Sequence, residues 1–100
     1  AMEAADRPDG EYALGAHRVF VSGGAARLAE GNLAGSTLTM ERAVRNMHRA
    51  AGVPLAHALQ MATLNPARAI GVPSGKVVPG APADLVLLDD DLNVIEKFYL

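Results

Sequence analysis

Thr39-Met40-Glu41-Arg42-Ala43-Val44-Arg45-Asn46-Met47-His48-Arg49-Ala50-Ala51-Gly52-Val53-Pro54 is the stretch on which the fold turns. Its apolar residues Met40, Ala43, Val44, Met47 and Ala51 recur at spacings of three and four, which places them on one face of a helix. Thr37 or Thr39 can cap that helix with its hydroxyl, and Glu41 sits in the first turn, where the helix dipole favours negative charge. Arg45 and Arg49 fall toward the far end, and Gly52 is the stop. Pro54 suits the first position of a second helix, with Leu55, Ala58, Leu59 and Ala62 as its buried stripe. Asn65-Pro66 opens a third and shorter helix in which the asparagine caps, Ala67 to Ile70 make little more than a turn, and Gly71 ends it.

On the N-terminal side the periodicity changes. Ala1 to Glu11 reads as a loop, because Arg7-Pro8-Asp9-Gly10 carries turn chemistry. Tyr12 to Leu28 reads as a β-hairpin: His17-Arg18-Val19-Phe20-Val21 has strand formers, Ser22-Gly23-Gly24 is the turn, and Ala25 to Leu28 returns. Glu30 to Ser36 is a loop of small residues leading into the helix. On the C-terminal side Pro73, Gly75, Pro79, Gly80 and Pro82 leave room only for turns, with Val77-Val78 as one short extended piece. Asp84 to Asp89 and Asn93 to Leu100 are runs of strand length, joined by Asp89-Asp90-Asp91 and expected to pair. The expected class is therefore α+β: a β-hairpin, two to three helices, then a short C-terminal strand pair. As one unit of 100 residues, it divides into loop and hairpin (1–36), a helical section (37–71) and β-strands (72–100).

Half of the residues are hydrophobic, enough for a modest core and against disorder. The net charge of -2 arises from scattered basic and acidic residues, so there is no basic stripe to neutralise a phosphodiester backbone, and nucleic acid is not an expected partner. No apolar run is long enough for a membrane span, and Ala1 to Gly10 is polar and acidic, unlike a secretory leader. With no cysteine there is neither a disulfide framework nor a thiolate metal site, in keeping with a cytoplasmic location.

Candidate chemistry is sparse. His17, His48 and His57 form neither an HxH nor an HExxH pair, and they read as surface histidines, His48 being favourably placed near a helix C-terminus. Asp89-Asp90-Asp91 lacks the alternation and the glycine of a calcium loop and reads as a solvated turn. Ser36, Thr37 and Thr39 have no histidine close in sequence to act as base, and capping accounts for them. Met40, Met47 and Met61 read as core filling. Leu33-Ala34-Gly35-Ser36 lies just before a helix and could turn unpaired backbone N–H groups toward a ligand oxygen, but on the residues alone a tight helix entry is the favoured account.

The run Asn32-Leu33-Ala34-Gly35-Ser36-Thr37-Leu38-Thr39-Met40-Glu41-Arg42-Ala43-Val44-Arg45-Asn46 resembles the signature of N-acetylglucosamine-6-phosphate deacetylases, with its L-A-G-S-x-L-T-M core. Ala62 to Gly71 and Gly75 to Val86 resemble the C-terminal pattern of the wider amidohydrolase superfamily, which dihydroorotases share. Pro8 to Gly15 resembles the segment that follows the family's catalytic aspartate. The resemblance covers essentially the whole chain.

It implies that the chain is the end of a (β/α)8 barrel plus part of a small β-domain. The reaction implied is hydrolysis of N-acetylglucosamine 6-phosphate to glucosamine 6-phosphate and acetate. In the family a divalent metal such as zinc activates the water, and its ligands and the catalytic aspartate lie upstream of the matched segments. The resemblance therefore implies no catalytic residue, no metal ligand and no cofactor in this chain, and no activity in isolation. Leu33, Ala34 and Gly35 match the loop that surrounds the amino-sugar phosphate, and they are the substrate-binding residues it implies. The small β-domain is normally completed by N-terminal strands, so unpaired strand edges are expected to drive a homo-oligomer or a rearranged fold. The alternative reading is a non-catalytic structural or interaction module derived from that family.

Overall fold

The structure, a computed structural model, describes residues 2–99. Ala1 and Leu100, at the ends of the expected first loop and last strand, lie outside the described residues. The chain forms two compact units, Ala1–Thr39 and Met40–Leu100.

The first unit is an antiparallel meander of four strands in the order β1 (Gly10–Leu14), β2 (His17–Ser22), β3 (Ala25–Leu28) and β4 (Leu33–Gly35). Its centre is the expected hairpin. Ser22 pairs with Ala25 across Gly23-Gly24, and both glycines have positive φ (58° and 81°), as the favoured two-residue hairpin turn requires. Along β2 the alternation is strict: Val19 and Val21 are buried while Arg18, Phe20 and Ser22 are exposed. Val19, Val21 and Ala26 form the core with Ala4, which arrives on an N-terminal turn, and Met2, Tyr12, Leu28 and Ala34 pack around them.

Two segments expected to be loops hold strands instead. Gly10 and Glu11 belong to β1, which pairs with β2 from Gly10↔Val21 to Leu14↔His17. Leu33–Gly35 is β4. Neither Gly-Glu-Tyr-Ala-Leu nor Leu-Ala-Gly is rich in strand formers, so pairing with a neighbour overrides local preference in both. Asp9 contributes by accepting the Gly23 N–H on its Oδ2 (3.2 Å).

The second unit begins with α1 (Met40–Arg45), which runs directly into a π-helical segment, Asn46–Ala50. The single expected helix is thus wider over its second half, and the Ala51 N–H reaches back five residues to the Asn46 carbonyl. Gly52, at φ 72°, ends it as expected. α2 (Leu55–Ala62) buries Ala58 and half-buries Leu55, Leu59 and Ala62, the expected stripe. Pro54 occupies the capping position rather than the first helical one, with the extended ψ of 139°.

α3 (Leu64–Ile70) starts two residues earlier than expected, so Asn65 is inside the helix and Thr63 holds the cap position. Thr63 makes no side-chain cap bond there; its hydroxyl donates to the Leu59 carbonyl of the helix before (2.7 Å). Gly71 closes α3 in the left-handed conformation, as expected. Val77 and Val78 form no strand, and Val77 is 84% exposed. Gly75 matters for a reason beyond turn formation: a Cβ there would stand 2.7 Å from the backbone of Leu64, so the loop lies directly on the first turn of α3.

β5 (Leu85–Leu88) and β6 (Val94–Phe98) pair antiparallel, as expected, with a register shift between Leu87 and Leu88. Among the described residues the buried apolar ones of this unit are Val44, Ala58, Ala67 and Leu92, two of them alanines. The observed class is α+β.

Candidate functional site

The residues singled out for substrate binding, Leu33, Ala34 and Gly35, form the edge strand of the meander. Ala26 pairs with Gly35 and Arg27 with Leu33, and the ladder shifts register between Ala26 and Arg27. The turn into β4 is tied by the Leu28 N–H donating to the Asn32 carbonyl and the Gly31 N–H to the Leu28 carbonyl, both 2.9 Å. Arg27 adds a bond from Nη1 to the Gly31 carbonyl (2.8 Å).

Burial alternates along β4. Ala34 is half-buried against the core, while Leu33 is 69% exposed. A Cβ on Gly35 would meet the Met2 sulfur at 3.1 Å, so the absent side chain lets the strand lie on Met2. One flank of the β4 backbone faces β3 and the other faces no strand among the described residues. An edge of that kind offers N–H donors and C=O acceptors to whatever lies beside it.

This corrects the helix-entry picture. Leu33–Gly35 lie in a strand, and α1 starts at Met40, so the available backbone donors belong to a sheet edge rather than to a helix terminus. The intervening hydroxyls are engaged locally. Ser36 Oγ accepts the Leu38 N–H (3.1 Å), and the Thr37 hydroxyl donates to the Gly24 carbonyl (2.9 Å), which ties β4 back to the β2–β3 turn instead of capping α1.

Of the remaining candidates, Met40 and Met61 are 65% and 48% exposed rather than core filling. His17 and His57 are exposed. His48 is half-buried with Nδ1 2.8 Å from the Val53 carbonyl; a carbonyl only accepts, so Nδ1 carries the proton and the ring braces the turn after the π-helical segment. Asp89 Oδ1 accepts the N–H groups of Asp91 (2.9 Å) and Asn93 (2.8 Å), and its Oδ2 accepts from Asn93 Nδ2 (3.0 Å). These bonds, the Asn93 backbone one foremost, hold the Asp89 carboxyl below its ordinary pKa, with Arg45 adding a smaller electrostatic pull. Asp91 Oδ1 is 3.3 Å from Arg49 Nη2.

Among the described residues no three His, Asp or Glu side chains converge as a metal would require. Asp89 and His48 already spend ring or carboxylate atoms on the backbone. The donor set among the described residues does not fit the divalent metal of the family. Glu41, expected only to favour the helix dipole, has a more specific partner: its Oε2 accepts the Val94 N–H at 2.7 Å. Apolar spacing carries no signal for such a bond, which spans more than fifty positions.

The model of the amidohydrolase family matches residues 10–99. The chain belongs to the amidohydrolase family. Over 96 residues it is 49% identical to an N-acetylgalactosamine-6-phosphate deacetylase of Escherichia coli O157:H7, a match that covers 94% of the chain and 26% of that protein. Over 102 residues it is 39% identical to the N-acetylglucosamine-6-phosphate deacetylase of Vibrio furnissii, covering 100% of the chain and 25% of that protein. The crystal structure of N-acetylglucosamine-6-phosphate deacetylase from Pasteurella multocida superposes with a TM-score of 0.89 at 31% identity, covering 99% of the chain and 27% of that structure. This amidohydrolase chain thus spans about a quarter of the length of each of these three deacetylases. No helix among the described residues is long and apolar enough to cross a membrane.

Proposed function

We propose that the chain is the C-terminal part of a metal-dependent deacetylase acting on the acetamide of an N-acetylhexosamine 6-phosphate, and that it has no turnover in isolation. The observation that carries this reading is the superposition of nearly the whole chain on about a quarter of a deacetylase structure. In this reading the meander and the helical section belong to the end of a barrel and β5–β6 to a small β-domain.

Leu33, Ala34 and Gly35 bind the amino sugar through the free flank of β4. Backbone groups suit that task, because an acetamide presents one donor and one acceptor to a strand edge. Hydrolysis needs an activated water and a positioned base, and the described residues of this chain bring together no set that supplies them. The metal and the base therefore come from the other three quarters of such an enzyme.

N-acetylglucosamine 6-phosphate is the substrate first expected, and N-acetylgalactosamine 6-phosphate has equal standing, since the relatives divide between the two sugars. They differ only at one hydroxyl-bearing carbon. The decisive assay offers both sugars to the purified chain, alone and mixed with a deacetylase lacking its last quarter. Acetate release only in the mixture supports the proposal. Release by the chain alone, abolished by a chelator, overturns it.

A further inference from the structure

We propose that Arg45 is the latch that holds the C-terminal hairpin on the helical section, and that the hairpin stays folded only while this latch is closed. Neither β5 nor β6 packs broadly against a helix of its unit. The strands expose Val86, Leu87, Ile95 and Phe98 (58%, 47%, 59% and 45%), so little of their own apolar surface is covered. A two-stranded hairpin without a covered face is marginal in water. Its support has to come from elsewhere.

That support is concentrated in the loop between the strands. Arg45 Nε donates to the Asp91 carbonyl (2.9 Å), and Nη2 donates to the Leu92 carbonyl (3.3 Å) and to Asn93 Oδ1 (2.5 Å). One turn on, Arg49 Nη2 donates to the Asp90 carbonyl (3.2 Å). From the other end of the same helical run, Glu41 takes the Val94 N–H. Under the clasp Leu92 is held at φ 63° with its side chain 7% exposed. A leucine does not adopt that backbone unaided.

Arg45 is central because it binds three consecutive loop residues, and its fork reaches carbonyls that no lysine could span at once. Asp89 organises the loop from inside, but its hydrogen-bond partners all lie within the loop; Arg45 is the side chain that couples α1 to the loop through the most bonds. The arrangement makes the helix and the hairpin one mechanical piece through a few polar bonds and the buried Leu92 of the loop rather than through a packed strand face.

The test is amide hydrogen exchange on the full chain with Arg45→Met, which keeps the aliphatic stem and removes all three donors. The expected result is exchange about tenfold faster or more at the β5–β6 ladder and at Asn93 and Val94, with α2 and α3 changed by less than about twofold. Unchanged hairpin protection overturns the proposal, and so does an equal loss in hairpin and helices. Asn93→Ala, which leaves the helix sequence intact, removes one acceptor of Arg45 together with the Asn93 Nδ2 donor to Asp89, and is expected to give the same local pattern at smaller size. A uniform change, or none, in that variant counts against the latch even if Arg45→Met fails to fold.

Discussion

The hairpins β2–β3 and β5–β6 are built from similar runs of apolar residues and end in opposite situations. In the first, a tight Gly23-Gly24 turn sets the register, and one face is filled by Ala4, Val19, Val21 and Ala26. In the second, a longer loop of aspartates is pinned by arginines, and three of the four residues of β5 are exposed. The first hairpin is stabilised from within by burial. The second depends on polar bonds to another element and leaves its strands bare. Strand propensity alone does not separate the two; what separates them is which face finds something to pack against.

That contrast can be broken or sharpened by substitution. The largest effect is expected at Gly75, where alanine combines a positive φ with a 2.7 Å approach to the Leu64 backbone; chemical denaturation should show a loss of about 3 kcal/mol confined to the helical unit. Val19→Ala is expected to cost about 2 kcal/mol, because the residue is fully buried. Its counterpart Val86→Ala should cost less than about 0.5 kcal/mol by the same urea titration, since most of that side chain is already in water. Equal costs for the two valines would remove the distinction between the hairpins.

Gly23→Ala strains a left-handed turn position and is expected to cost about 1 kcal/mol, read as a loss in the meander with the β5–β6 amides unaffected.

The smallest effect is tied to pH. The Asp89 carboxyl is held below its ordinary value chiefly by the Asn93 N–H. A lowered native pKa means that its contribution is fully present above the unfolded-state value, near 3.8, and fades as the pH falls through the native value. Exchange at Asp91 and Asn93, corrected for intrinsic rates, should therefore accelerate on acidification below that point. In Asp89→Asn the dependence should vanish.

Much of the fold is legible in the residue pattern because its signals are local. The Gly23-Gly24 turn, the Leu55, Ala58, Leu59 and Ala62 stripe, the Gly52 and Gly71 stops and the pairing of the last two strands all follow from spacing or from positive-φ requirements. β1 and β4 do not, because weak strand formers become strands only when β2 and β3 are alongside. Thr63 and Asn65 compete for one cap, and the choice follows from where α2 ends. The candidate site is legible in a different sense: Leu33, Ala34 and Gly35 are marked by kinship, whereas their place on a sheet edge follows from pairing that the sequence pattern leaves open. The partners of Arg45 and Glu41 lie some fifty positions away, beyond the reach of any periodicity.

The contact between Met2 and Gly35 gives the proposed sugar-binding strand a chemical vulnerability. The thioether lies beneath β4 where even a methyl group would be crowded. Oxidation to the sulfoxide would place a polar oxygen on that sulfur and turn an apolar support into one that seeks water. Peroxide can thus disturb Leu33–Gly35 without touching them, and methionine sulfoxide reductase would restore the strand.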